Sequence, residues 1–457
     1  MSGTKSLDQR FADAMGQLLG PDFPTDIALA VSGGGDSMAM LTLAHNWAHA
    51  WGVRLWVVTV DHGLRAESAA EAAMVAEECT LLGHPHAILR WHWDGQGNLM
   101  DAARRARLSL IDRWRGGLEH VLMAHTQDDV AETFLMRLKR GSGVEGLSAM
   151  RASLTVQPHA GDMHDMAPVD VCWTAQPPMP TQKGGGVSAN SNGFRLLRPC
   201  LDMTRAELRH YLRTLKGRWV DDPTNEDPTY DRARIRKLLD LLGAEGLGCD
   251  TLSDTAHRMS RARQALHARA RDVAGRIVTE ECLNGLGTGA LLIDRNGFAE
   301  TEEDTRLRIL AESLRWVASA EYRPRAQALE QLAERLLSGG QGTLHGCDLR
   351  CLGNQIRVGR EFSAVSAPAS MGQIWEGRWQ LYGASAKGAS LRALGSDGLK
   401  QAGGRPEGAP AARLLYPLPA AFLGEVLVAC PHLDYGEGMI REGSGRYSSF
   451  TASFERH

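Results

Sequence analysis

The run Ile27-Ala-Leu-Ala-Val-Ser-Gly-Gly-Gly-Asp-Ser-Met-Ala-Met40 narrows the options for this chain more than any other stretch. A short apolar strand enters a glycine turn, and an apolar helical pattern opens at Asp36 or Ser37. Gly33, Gly34 and Gly35 can take backbone angles closed to other residues, so several N–H groups can point into one concavity. The helix start adds partial positive charge, and Ser32 and Ser37 add hydroxyls. That is a phosphate cradle. Asp36 beside a polyphosphate is most simply explained as a magnesium ligand, because an acid alone would repel the substrate. A plain glycine turn before a capped helix would leave a similar trace, since Asp and Ser are common caps.

The loop lacks the Lys-Ser/Thr of a Walker sequence and has Asp-Ser in its place. Ser-Gly-Gly-x-Asp-Ser after a strand resembles the PP-loop of the ATP pyrophosphatases, which split ATP between its α and β phosphates and pass AMP to a carbonyl oxygen.

Downstream segments repeat a strand-then-helix rhythm. Arg54–Val60 is a continuous apolar run fit for a buried parallel strand, and it ends at Asp61-His-Gly-Leu-Arg65. In open α/β sheets the carboxyl ends of strands face the ligand crevice, so Arg65 is available to a phosphate or carboxylate. Asp-His-Gly is equally compatible with an ordinary turn. Residues 67–82 and 98–114 have helical spacing, the second with Arg104, Arg105, Arg107, Arg113 and Arg115; residues 86–91 form a third strand. A fourth strand, 119–124, leads into His125-Thr-Gln-Asp-Asp-Val-Ala-Glu-Thr133. Asp128 and Glu132 are four apart and share a helical face with Asp129 close by. Acids at a helix start also suit the dipole, but at the ligand edge of a sheet they suit magnesium or a substrate ammonium. A basic helix end running into Gly141-Ser-Gly143 reads as a C-cap or as a flap carrying Arg137, Lys139 or Arg140 over phosphates. Four strands interleaved with helices define a doubly wound parallel sheet.

The four blocks Ser32–Ser37, Asp61–Arg65, Ala124–Thr133 and Arg140-Gly-Ser-Gly-Val-Glu-Gly-Leu147, in this order, resemble the tRNA(Ile)-lysidine synthetases. Arg198-Pro199 and the passage from Trp219-Val-Asp-Asp-Pro-Thr-Asn225 to Arg232-Ala-Arg-Ile-Arg236 extend the resemblance over most of residues 27–237. Two positions depart from that pattern: Thr126 stands where a second histidine is common, and Ala233 where an asparagine is usual.

The resemblance implies ATP-dependent ligation of L-lysine to the wobble cytidine of an isoleucine tRNA with a CAU anticodon. AMP and pyrophosphate are the other products. It implies that Ser32, Gly33, Gly34, Gly35, Asp36, Ser37, Arg65 and His125 hold ATP, that Asp36 holds Mg2+, and that Asp36, Asp128, Asp129, Glu132 and Arg140 serve catalysis. Arg205, Arg209, Arg232, Arg234 and Arg236 are expected to meet RNA, because arginine-studded helices suit phosphate contacts. A tRNA thiolase of the same superfamily would need a persulfide cysteine or a Cys-x-x-Cys site, and neither occurs. An amidotransferase-type synthetase would need a glutaminase partner. A catalytically silent RNA-binding protein with this fold is the rival of another class, against which Asp36 and the acid cluster argue.

With 457 residues the chain is too long for one core. Three parts are expected: an ATP-binding catalytic domain over 1–220 interrupted by a Pro/Gly/Met/His-rich insertion at about 152–193, a helical tRNA-binding domain over 221–340 and a small β-rich C-terminal module over 341–457. Within the second, residues 252–281 read as one helix. Thr204 with Glu207 forms a capping box ahead of Arg205, Arg209 and Arg213. A net charge of −3 excludes a uniformly basic RNA-coating protein but allows a local basic face. The eight cysteines show no framework spacing, and no apolar run is long enough to cross a bilayer, so reduced thiols and a cytoplasmic location are expected. A homodimer is compatible with all of this.

Overall fold

The structure is a computed structural model that describes residues 5–64, 67–93, 95, 97, 99–156, 171–173, 193–221, 231–320, 322–370, 372–382, 388–436, 440–442 and 449–454. The chain forms two compact units, Met1–Arg263 and Gln264–His457.

The first unit runs α1 (Leu7–Leu19), β1 (Asp26–Ala30), α2 (Gly35–Trp51), β2 (Arg54–Asp61), α3 (Ser68–Leu82), β3 (His86–Arg90), α4 (Leu99–Trp114), β4 (His120–Met123), α5 (Gln127–Leu138), α6 (Val144–Leu147), β5 (Ser153–Val156), β6 (Val171–Trp173), β7 (Phe194–Leu197), α7 (Arg205–Thr214) and α8 (Asp231–Ala244). A long helix, α9 (Cys249–Ile277), carries the chain into the second unit. The seven strands order as β5-β7-β4-β1-β2-β3-β6. The five central strands are mutually parallel, and β5 and β6 add to the edges antiparallel.

Alternation along the central strands divides the core. Ile27, Leu29, Leu55, Val57, Leu122 and Leu197 pack with α1, α2, α3 and α7 on one face; Ala28, Trp56, Val58, Val121, Met123 and Leu196 pack with α4 on the other. Burial on both faces is what the unbroken apolar runs demand. Strand order reverses at β1, whose neighbours are β2 and β4, and the crevice at such a switch point is where α/β sheets bind ligands. The glycine loop leaves β1 and the acid-rich helix leaves β4, so the two flank that crevice.

The expected insertion at 152–193 lies mostly outside the described residues. Its described flanks are the edge strands: β5 pairs with β7, and β6 with β3.

The second unit departs from the helical domain expected over 221–340. Residues 231–263 belong to the first unit and pack on its acid-bearing helix: Ile235, Leu239, Leu252 and Ala256 share a core with Val130, Ala131, Phe134 and Leu135. The helix expected over 252–281 ends at Ile277, where β8 (Val278–Leu283) begins and turns at Asn284-Gly285 into β9 (Leu286–Asp294). Both turn residues have positive φ, 51° and 75°, the primed-turn geometry favoured by Asn-Gly. After α10 (Arg295–Glu300), α11 (Glu303–Val317) and α12 (Ala326–Leu337), strands β10 (Gln341–Leu344), β11 (Cys347–Leu352) and β12 (Gln355–Arg360) complete an antiparallel sheet of order β10-β11-β12-β9-β8. Since β12 pairs with β9, a boundary at 340/341 would cut a sheet in two. The remaining C-terminal chain holds a four-stranded and a three-stranded antiparallel sheet.

Candidate active site

The loop after β1 is braced from within. Gly33 has a φ of +88°, a value that favours glycine. The Ser37 hydroxyl donates to the Gly34 carbonyl at 2.9 Å and accepts from the Ser32 N–H at 3.2 Å. A strap from further along the chain holds the loop as well: the Val220 N–H donates to the Gly33 carbonyl at 3.0 Å. Helix α2 begins at Gly35, one residue ahead of the expected start.

Asp36, in the first turn of α2, points its Oδ2 at the Arg205 Nε, 3.2 Å away. Its Oδ1 is buried with no hydrogen-bond partner. Burial pushes the Asp36 carboxyl above the usual carboxylate range, against the opposing pull of Arg205. A desolvated, half-satisfied carboxylate at the mouth of a phosphate cradle fits a magnesium ligand. Among the described residues no group of three or more His, Cys, Asp or Glu side chains gathers to hold a metal. One carboxylate plus substrate phosphates is nevertheless an ordinary magnesium arrangement.

The acids after β4 divide their labour. Thr126 is the N-cap of α5, and a capping box forms in which Asp129 Oδ2 accepts from the Thr126 N–H at 2.9 Å and its hydroxyl at 3.1 Å. The departure at position 126 therefore installs a cap. Asp129 Oδ1 is left facing Arg205 at 3.6 Å. Burial works to raise the Asp129 carboxyl, but the Thr126 N–H, the neighbouring His125 imidazole and the charges of Arg205 and Arg232 outweigh it and hold it below the usual range. Asp128 Oδ2 accepts from the Arg205 backbone N–H at 2.8 Å, at the start of α7, where the helix dipole favours an acid. Glu132, one turn along, has no solvent exposure; its Oε1 lies 3.2 Å from Arg205 and 2.7 Å from Arg236, and its Oε2 lies 3.7 Å from Arg232.

Arg205 is thus the hub of the site. Burial alone would make it easier to deprotonate, but Glu132, Asp36, Asp129 and Asp128 outweigh that and raise it above its ordinary value. The expected RNA-facing arginines stand in different places. Arg205 sits in the acid cluster, Arg232 and Arg236 hold Glu132, and Arg209 lies against Gly35. Arg234 pairs with Asp231 within α8.

His125 follows β4. Its Nδ1 accepts from the Arg198 Nε at 3.2 Å, which assigns the ring proton to Nε2 and leaves that N–H free to donate. Burial, helped by the Arg198 charge, drops the imidazole to about 4, so it is neutral near pH 7. Arg198, at the end of β7, is itself buried on neutral partners, His125 and the Arg151 carbonyl at 2.6 Å. Burial and then Arg104 lower it to about 10. Only the dipeptide Arg198-Pro199 hinted at this support. Arg65 lies outside the described residues, as do residues 222–230. Arg140 is exposed in the turn after α5 and forms no ion pair with a described acid.

The chain matches the family described as the PP-loop domain over residues 7–242. It is 37% identical over 443 residues to the tRNA(Ile)-lysidine synthase of Ruegeria pomeroyi, covering 95% of each chain. The chain belongs to the tRNA(Ile)-lysidine synthase family. The enzyme of that name from Wolbachia pipientis wMel is 32% identical over 78% of this chain and 77% of its own. That from a Bradyrhizobium strain, BTAi1, is 37% identical over 68% and 80%. Membership in the lysidine synthase family implies ATP use and makes the chain a ligase.

Proposed function

We propose that this chain ligates L-lysine to the wobble cytidine of an isoleucine tRNA with a CAU anticodon, with ATP as co-substrate, in the cytoplasm. The observation that carries the reading is the meeting of the ATP loop's Asp36 with Asp129 and Glu132 on one guanidinium, that of Arg205. It brings the glycine loop and the acid cluster together beside the switch point of the sheet, which supports a nucleotide loop next to a cation-holding pocket. The near full-length similarity to relatives named for this activity supports the same substrate.

In this reading the cytidine carbonyl oxygen attacks the α phosphorus of ATP, and the bond to pyrophosphate breaks. The lysine ε-amine then forms the C–N bond at the activated carbon, the C–O bond to AMP breaks, and the amine loses its protons to solvent. The chain's part is positioning and charge placement. The glycine loop's N–H groups cradle phosphate oxygens. Asp36 would hold magnesium through its unpartnered Oδ1, and the ion, when bound, would neutralise charge on the departing pyrophosphate. Asp129 and Glu132 form the acidic wall for an ammonium group of lysine. The neutral His125 donates from Nε2 to a phosphate or base oxygen rather than acting as a strong base. Arg234 and its neighbours on α8 meet the RNA backbone.

The test is mass analysis of nucleosides from isoleucine tRNA incubated with enzyme, ATP and lysine, with Asp36→Ala as control. A cytidine carrying lysine, absent with the control, is expected. Incorporation of sulfur or ammonia instead would sink the substrate assignment.

A further inference from the structure

Helix α7 sends two arginines, four residues apart on one face, towards the start of α2. Arg205 reaches Asp36. Arg209 lies one turn further, and what admits it is a missing side chain. A Cβ built on Gly35 would stand 3.3 Å from Arg209 Cγ, 3.5 Å from its Nε and 3.4 Å from Trp219 Cδ1. The arginine stem and the indole thus fill the space that a larger residue at position 35 would take.

We propose that Arg209 is a ligand of the ATP polyphosphate, seated there by the glycine at position 35. This rests on the assignment of ATP to the loop and goes beyond it, because neither the loop pattern nor the sequence marks Arg209 for that role.

Three observations point the same way. The Arg209 Nε is buried without a hydrogen-bond partner, a costly state for a guanidinium donor. A cation beside the first residue of a helix opposes the dipole, a cost that the Asp36 charge in the same turn offsets and that an anionic ligand would offset further. Its remaining pairing is weak: Arg209 donates to Asp221 Oδ1 at 2.7 Å, but Asp221's side chain is 64% exposed, and exposed ion pairs contribute little. Trp219 donates to the other oxygen of Asp221 at 3.3 Å, which together with the Val220–Gly33 hydrogen bond keeps the group in register with the loop.

The ligand class follows from the opposite sign of the unmet groups. The start of α2 offers an unpartnered donor, Arg209 Nε, and an unpartnered acceptor, Asp36 Oδ1. A magnesium polyphosphate satisfies both, with anionic oxygens for the first and a cation for the second. A bare RNA phosphodiester satisfies only the donor.

The experiment titrates the full chain with magnesium pyrophosphate, and separately with magnesium α,β-methylene-ATP, by calorimetry without lysine or tRNA. Loss of one charge-assisted hydrogen bond in Arg209→Met should weaken both by about tenfold. Arg209→Lys should fall between, and the affinity for isoleucine tRNA and its salt slope should not move. An unchanged pyrophosphate affinity in a folded Arg209→Met chain overturns the assignment. So does a reduced tRNA salt slope with pyrophosphate unaffected, which would make Arg209 an RNA contact. If Arg209→Met does not fold, Arg209→Gln, which keeps a polar stem in the same space without the charge, takes its place: weaker pyrophosphate binding supports the proposal and unchanged binding overturns it. A wild-type chain that binds neither probe overturns the ATP reading as well, whereas a defect-free Arg209 variant overturns only the role of Arg209.

Discussion

The Arg205 guanidinium stands 3.2 Å from the Glu132 carboxylate, which has no solvent exposure, and the same guanidinium reaches Asp36 at 3.2 Å. Helix α7 therefore closes a charge circuit between the glycine loop and the acid cluster. Removing one partner of such a buried set leaves the other uncompensated. Arg205→Met should destabilise the chain by about 2 kcal/mol or more, below the full cost of an orphaned buried charge because Arg236 still holds Glu132. Adding Glu132→Gln should recover part of that loss. Urea unfolding of both singles and the double checks it, and strictly additive effects would refute the circuit.

Asp36→Asn separates chemistry from stability. The asparagine keeps the shape but loses the charge, so pyrophosphate release should fall by about a hundredfold or more, as when one transition-state contact is lost. Stability should stay level or rise, since the carboxyl is raised by burial and its desolvation cost disappears. Parallel turnover and melting measurements decide it.

Acid should destabilise this protein over a defined window. Burial lowers His62, His86 and His125 to about 4 in the folded chain, from an ordinary 6.5. Above pH 6.5 each is neutral folded or unfolded and contributes nothing to the pH dependence. Below it the unfolded chain takes up protons that the folded chain refuses, so stability declines as pH falls and levels off near 4. His86, buried on Thr59 at 2.9 Å, carries one share of the slope. In His86→Leu the Thr59 hydroxyl keeps its bond to the Val31 carbonyl, and the acid slope of the melting temperature should flatten.

Arg234 pairs with Asp231, an exposed neighbour on its own helix, and its side chain is about half exposed. If α8 meets the RNA backbone, Arg234→Gln should weaken tRNA binding evenly across sequences and reduce the slope of log affinity against log salt by about 1. Filter binding across a salt series reads this directly, and an unchanged slope would remove Arg234 from the interface.

Fragment boundaries offer a further check. We propose that residues 264–457 fold alone, whereas 341–457 do not, because the second cut strips β12 of its partner β9. Backbone amide spectra of the two fragments should be dispersed for the first and collapsed for the second.

The features legible in the sequence were those set by local chemistry. The glycine loop, the capping box at Thr204 and the apolar strand runs each declare themselves within a few residues, through backbone freedom, hydrogen bonding and periodicity. The turn at Asn284-Gly285 was equally local, yet the Ala- and Arg-rich pattern ahead of it reads as helix, and strand pairing with β9 overrode that propensity.

By itself the sequence determined the α/β alternation, the glycine loop after β1 and the acids at the start of α5, because short-range spacing is enough to specify them. The tertiary structure decided which arginines join the acid cluster and which pair elsewhere. Arg205 and Asp36 are 169 residues apart, and no periodicity along the chain reports a contact made by folding a helix back across the sheet. Side-chain charge can be read one residue at a time. What it neutralises depends on which surfaces the core brings together.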